Sequence, residues 1–215
     1  GVFLTSSFQP KNNYEANSTN FAAYIQNELP LNTSLKAVYG VRFENFVINY
    51  TGESVVGKVF RDDEVLNETN ILPSLGLVYN LMEETNLRMN FSQTVARPSF
   101  KEKSGATIVD ALSGRTFIGN VDVEQTEINN LDLRLEKFFP GGQLISLSGF
   151  YKQFSNPIEI VSFDERSPDQ FTPRNSNEAI VYGAELDAKR NLAFINENWN
   201  QWSMGINFTY VVSKI

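Results

Sequence analysis

Leu87-Arg88-Met89-Asn90-Phe91-Ser92-Gln93-Thr94-Val95-Ala96 places Leu87, Met89, Phe91, Gln93 and Val95 at odd positions and Arg88, Asn90, Ser92, Thr94 and Ala96 at even ones. In a strand successive side chains point to opposite faces, so a period of two gives one apolar and one polar face. The same split recurs where Leu131, Leu133 and Leu135 oppose Asn130, Asp132, Arg134 and Glu136. Near the end, Trp202, Met204, Ile206, Phe208, Tyr210 and Val212 alternate with Gln201, Ser203, Gly205, Asn207, Thr209 and Val211. A looser version runs through Leu35, Ala37, Tyr39, Val41 and Phe43, after which Phe46, Ile48 and Tyr50 fall in the other phase. An extra residue near Glu44 or Asn45, a β-bulge, is the expected cause of that slip. Adding segments that begin near Asn20, Ile71, Gln143 and Ala179 gives about eight strands, most near the ~9–11 residues that cross a bilayer at a tilt. A 3.6-residue period is nowhere sustained, which predicts almost no helix.

The connections between these strands alternate in length. Short turns fall at Pro30 to Thr33, Met82 to Thr85 and Phe139 to Gly142, whereas long polar links occupy Thr51 to Asn70, Ser99 to Val121 and Ser155 to Glu178. The stretch from Arg190 to Asn200 is a longer turn. Antiparallel hairpins with short turns at one rim and long loops at the other are the arrangement of an outer-membrane barrel. The expected fold is therefore all-β: a partial antiparallel transmembrane β-barrel of about eight up-and-down strands.

Composition narrows the chemistry. A mean hydropathy of -0.26 and the lack of any run near ~20 apolar residues exclude a helical membrane protein. The chain has no Cys and no His, which removes disulfides, thiolate nucleophiles, the commonest metal ligand and the commonest general base. A net charge of -7 without any Lys/Arg cluster argues against nucleic acid. The opening GVFLTSSFQPKNNY has no basic start followed by an apolar core, so no signal peptide is expected there. No enzyme activity, cofactor or metal site is expected.

Alternation alone does not say which face is outside, because a lipocalin-like barrel and a membrane barrel are inverted in this respect. The polar face carries Arg42, Glu44, Arg88, Asp132, Arg134, Glu136, Glu185 and Asp187, a mixed-charge lining suited to a wet lumen or a polar plug. A solvated outer surface is the competing reading. Phe138, Phe139, Trp199, Trp202 and Tyr50 stand at strand ends, where interfacial girdles form, and favour the membrane.

Several runs carry a family resemblance. Ile71-Leu72-Pro73-Ser74-Leu75-Gly76-Leu77-Val78-Tyr79, Ser92-Gln93-Thr94-Val95-Ala96-Arg97-Pro98-Ser99-Phe100, Gly119-Asn120, Phe150-Tyr151-Lys152 before Asn156-Pro157-Ile158-Glu159, and Tyr182-Gly183-Ala184-Glu185-Leu186 together resemble the barrel of TonB-dependent receptors. They span about residues 20 to 212 in the family's order. Val121 stands where many relatives carry Pro, a departure that bears on loop stiffness. The resemblance implies a barrel of about 22 strands around an N-terminal plug. On that reading residues 1–215 are a fragment of a single barrel domain, without the plug and the remaining strands. It further implies a Gram-negative outer-membrane location. Partners would be outer-membrane lipid, the plug, the TonB complex acting through it, and a scarce nutrient: siderophore-like, haem, cobalamin, oligosaccharide or peptide.

The site residues expected on this basis fall in two sets. Lumen-facing or plug-contacting are Arg42, Glu44, Arg88, Asp132, Arg134, Glu136, Glu185 and Asp187; lipid-facing are Leu87, Met89, Phe91, Leu131, Leu133, Leu135, Trp202, Met204, Ile206 and Phe208. Arg97 ends a strand beside a long loop and is the rim candidate for an anionic ligand, with a structural salt bridge as the preferred reading. Asp62-Asp63-Glu64 lacks the glycine and further ligands of a calcium loop and reads as a solvated acidic loop. Glu83-Glu84 is a surface turn, Gly141-Gly142 a hairpin turn rather than a phosphate loop, and no carboxylate pair is fixed across a cleft. Two other readings stay open: a soluble β-barrel module binding a small apolar ligand, and a small closed eight-stranded outer-membrane barrel.

Overall fold

The computed structural model describes residues 13–54, 56–110, 112–164 and 167–215; most of the opening segment read for a signal peptide lies outside them. The strands are β1 (Glu15–Pro30), β2 (Leu35–Glu53), β3 (Val59–Met82), β4 (Thr85–Ala96), β5 (Thr107–Val109), β6 (Thr116–Ile118), β7 (Thr126–Phe139), β8 (Gln143–Ser155), β9 (Ile158–Asp164), β10 (Ser167–Asn175), β11 (Glu178–Asn191) and β12 (Ser203–Lys214). Eight form one antiparallel sheet in the order β1-β2-β3-β4-β7-β8-β11-β12, and β5-β6-β10-β9 form a second, smaller sheet. No α-helix occurs among the described residues; two single 3-10 turns, Leu192–Phe194 and Glu197–Trp199, fill the link before β12. β1 and β12 are the outermost strands of the large sheet, so the eight strands form an open wall.

The three short turns are where the sequence places them. Asn32 closes the first by accepting the amide hydrogens of Ser34 and Leu35 through its Oδ1, at 2.8 and 2.9 Å. The third uses Gly141 and Gly142 at φ 77° and 71°, a left-handed pair that residues with a Cβ resist.

The registers align every alternation into two continuous faces. Leu87, Met89 and Phe91 pair with Leu135, Leu133 and Leu131, and Arg88 with Arg134. On the next strands Leu135 meets Leu147 and Leu131 meets Tyr151; Leu147 then meets Leu186 and Tyr151 meets Tyr182, and Leu186 meets Phe208. The apolar face is left open, with Leu133 51%, Leu147 56% and Phe208 61% exposed. It ends sharply toward the loops in a belt of polar side chains on the same face: Asn45 donates to Asn67 and Thr69, Gln93 to Asn129, and Gln153 to Glu178. From Leu35 to Phe43 it runs eight residue steps, about 26 Å at ~3.3 Å each, or about 20 Å along the normal at ~40° tilt. That height is close to the ~25 Å apolar band of a membrane barrel.

Three expectations are corrected. No bulge occurs at Glu44 or Asn45: the β1–β2 ladder runs unbroken from Glu15–Thr51 to Pro30–Lys36. The irregularities lie instead between Ile48 and Asn49 and between Tyr50 and Gly52 of the β2–β3 ladder, where Asp62 takes φ 58°. Phe46, Ile48 and Tyr50 therefore share the face of Arg42 and Glu44, and this face turns apolar there because loops cover it. Tyr50 is thus no girdle residue; it is 1% exposed. Finally, the long links are largely ordered: β2 and β3 extend as a hairpin that carries Asp62, Asp63 and Glu64 on β3, and the other two links hold β5, β6, β9 and β10.

Candidate functional site

The two later links fold over the polar face of the wall and pair with each other, β6 running parallel to β10 through Gln170–Thr116 and Phe171–Phe117. Buried polar contacts hold this roof down. The Tyr50 hydroxyl accepts the Gly105 amide at 2.9 Å, and Asn70 of β3 exchanges two side-chain amide bonds with Gln125, at 3.2 and 2.7 Å. Gly105 sits so close to the β2 hairpin that a Cβ there would lie 2.1 Å from the Glu53 carbonyl oxygen. Only glycine permits that approach.

Lys103 locks the roof from within. It is 3% exposed, and its ammonium donates to the carbonyls of Val121 and Val123 at 2.6 and 2.8 Å. Burial pushes its pKa below the ordinary lysine value, opposed by the charges of Asp122, Glu124 and Glu68. The donated bonds satisfy two carbonyls that would otherwise be stranded.

Between the roof and the tip of the β2–β3 hairpin lies a cleft of about 360 Å³, lined among others by Lys58, Phe60, Asn120, Asp122, Phe163 and Arg174. The Lys58 ammonium stands 4.7 Å from the Phe60 ring centre, and Arg174 donates to the Phe163 carbonyl at 3.4 Å. Two cations, two rings and one carboxylate make it a mixed polar–aromatic surface able to grip an anionic or oxygen-rich molecule.

The predicted polar-face residues do share one face, in two clusters. Glu44 receives Arg42 at 2.5 Å and also Arg97, whose guanidinium lies 4.4 Å from the Phe46 ring centre. The expected structural role of Arg97 thus has a carboxylate and a ring to support it. Glu136 receives Arg88 at 2.6 Å and Arg134 at 2.8 Å, and Arg134 also donates to Ser148 at 3.1 Å. Asp132, Glu185 and Asp187 lie on the same face, beside Phe150, Ser148 and Ser146 respectively, without an ion pair among the described residues. The predicted apolar-face residues that belong to strands all lie on the opposite side; Trp202 stands just before β12 and is 69% exposed.

Sequence reading missed Lys103, Lys58 and Arg174, and it placed Tyr50 in the interfacial girdle rather than under the roof. Their partners lie far along the chain, and a lone Lys or Arg in a polar link gives no local sign of the partner it will meet. The Gly119-Asn120 pair was singled out only by resemblance. It sits in the roof, where Asn120 donates to the Pro173 carbonyl at 3.1 Å.

A family model described as "TonB dependent receptor-like, beta-barrel" matches residues 3–215. Among solved structures the chain is similar to the alcaligin outer-membrane receptor FauA of Bordetella pertussis, with TM-score 0.62 and 16% identity, covering 94% of this chain and 31% of that one. A variant of the ferric enterobactin receptor PfeA of Pseudomonas aeruginosa gives 0.61 and 18%, with 91% and 27% coverage. The copper transporter OprC gives 0.69 and 16%, with 93% and 29%. The chain thus spans less than a third of the length of these three. A search of curated protein sequences gave no match.

Proposed function

The chain belongs to the TonB-dependent receptor-like β-barrel family, and from that premise we propose that it forms about a third of the wall, and part of the loop roof, of an active import receptor. The family is one of outer-membrane receptors and transporters, not enzymes, and this chain is an outer-membrane β-barrel segment. The remaining strands and a plug come from outside these residues, and TonB supplies energy through the plug. Leu87, Met89, Phe91, Leu131, Leu133, Leu135, Trp202, Met204, Ile206 and Phe208 face lipid. Arg42, Glu44, Arg88, Asp132, Arg134, Glu136, Glu185 and Asp187 face the lumen, where Asp132, Glu185 and Asp187, without an ion pair among the described residues, meet the plug. Arg97 supports the roof rather than meeting the ligand directly.

The observation that carries this reading is the asymmetry of the sheet: loops cover the polar side and the apolar side stays bare. A soluble monomer seldom exposes a contiguous apolar patch beyond a few hundred Å²; lipid removes that cost. The same bareness disfavours a soluble module, whose apolar face would be sealed inward. The open β1 and β12 edges disfavour a closed eight-stranded barrel.

For cargo, the cleft with Lys58, Arg174, Phe60 and Phe163 favours an anionic metal chelate among the candidate nutrients, in keeping with the alcaligin and ferric enterobactin named for two of the similar structures. Loss of ferric-chelate uptake in a Lys58→Ala/Arg174→Ala receptor is expected; undiminished uptake of every chelate tried removes the cleft from the mechanism. The membrane reading is tested by single cysteines at Met89 and Asn90, since the chain has none of its own. Spin labels there in the full receptor should collide with a lipid-soluble quencher at 89 and a water-soluble one at 90. The reverse pattern inverts the faces and defeats the proposal.

A further inference from the structure

At the turn rim the apolar face ends in two neighbouring cations, whereas at the loop rim the belt on that face carries Glu178 as well as Lys214. Lys137 of β7 lies in the row Thr85-Lys137-Ile145-Ala188-Ile206, read across β4, β7, β8, β11 and β12. Arg190 of β11 lies one row further out, beside Met204. Neither row holds a carboxylate. Both cations converge on one ring: the Arg190 guanidinium carbon is 3.7 Å from the Phe139 ring centre and the Lys137 ammonium 5.5 Å. A second ring, Phe194, lies 5.3 Å from the same guanidinium. Exposed Trp199 and Trp202 stand in the adjoining turn.

This arrangement differs in kind from the polar face. There Arg42, Arg88, Arg97 and Arg134 each bind a carboxylate. Arg190 and Lys137 make no ion pair among the described residues, and Arg190 Nε is buried without a hydrogen-bond partner. A guanidinium held against a ring has its flat face occupied while its N–H edges stay available to oxygens. Directly above, Ile145, Leu147, Leu186 and Ile206 continue the apolar face.

We propose that Lys137 and Arg190, held by Phe139 and Phe194, bind the phosphate of an anionic phospholipid in the leaflet at the turn rim, with its acyl chains along the apolar rows above. The proposal rests on the reading that this face meets lipid. It commits to a lipid rather than free phosphate because the cations adjoin the bare apolar surface of Ile145, Ala188, Met204 and Ile206.

The test is native mass spectrometry of the full receptor released from detergent micelles containing phosphatidylglycerol. The natural protein is compared with K137Q/R190Q and with K214Q, whose lysine lies on the same face at the opposite rim, 5.8 Å from the Tyr182 ring centre. The apparent Kd for the first retained lipid should rise about 5-fold for each cation lost at the turn rim and on the order of 30-fold for both, with K214Q unchanged. Equal retention by the double variant overturns the site, as does displacement of the lipid by soluble glycerol phosphate. Should the double variant fail to assemble, photoactivatable phosphatidylglycerol added to the natural receptor should mark residues 137–139 and 190–194. Adducts confined to other strands overturn the proposal. A receptor that inserts into lipid but shows no headgroup selectivity sinks this site alone, whereas one that remains soluble without detergent sinks the membrane reading beneath it.

Discussion

Leu133→Arg tests the depth and direction of the apolar face together. Leu133 is half exposed on the apolar side, paired with Met89 and Gly149. It stands four residues below Asn129 of the polar belt, about 13 Å along the strand and about 10 Å along the normal. In an apolar band of about 20–25 Å that position is close to the midplane, where an arginine facing lipid costs about 2–4 kcal/mol. The expected loss in the folded-to-unfolded ratio is therefore about 30- to 700-fold. Asn129→Arg, at the edge of the band on the same strand and face, should cost about 0–1 kcal/mol. Asp132→Arg, on the opposite face, should show no penalty from lipid. The assay is urea-driven folding equilibrium of the full receptor in lipid vesicles, read by the heat-modifiable gel shift of the assembled barrel. Equal costs at positions 129 and 133, or a greater cost at 132 than at 133, would refute the assignment of faces.

The roof supplies two more predictions. Lys103→Met removes both donors to the Val121 and Val123 carbonyls and should weaken local docking by about 1–3 kcal/mol; amide exchange should quicken across residues 99–125 while β7 and β8 are unchanged, and uniform exchange with the natural receptor would contradict the clamp. Asp110 carries a pKa below the ordinary aspartate value, chiefly because the Ser113 hydroxyl bonds it at 2.6 Å and then because of the Leu112 amide. A depressed carboxyl contributes stability that is present above its unfolded pKa and lost as pH falls through the folded one, so exchange within 107–118 should accelerate as pH drops below the ordinary aspartate range. A hairpin that tightens on acidification would show the sign to be wrong.

Much of the wall was legible because its code is local. Leu87, Met89 and Phe91 announce a face through spacing alone, and a pleated strand leaves them no other way to lie. Gly141-Gly142 marks its turn by the left-handed backbone that other residues avoid. The same logic failed at Phe46, Ile48 and Tyr50, where a change of phase suggested a bulge. The strand keeps its register with β1 through these residues, and it is the environment that changes, because loops cover a face that lower down is polar.

The sequence by itself settled the strands, their alternating faces, the short turns and the classes of chemistry that a chain without Cys or His excludes, since each depends on neighbours a few residues apart. The tertiary structure alone decided that Gly105 meets Tyr50, that Lys103 is buried, that Asn70 clasps Gln125, and that Lys58 and Arg174 border one cleft. Those pairings join residues separated by tens of positions, through loops whose own composition specifies no partner; they exist only once strand registers have fixed where each loop begins and ends.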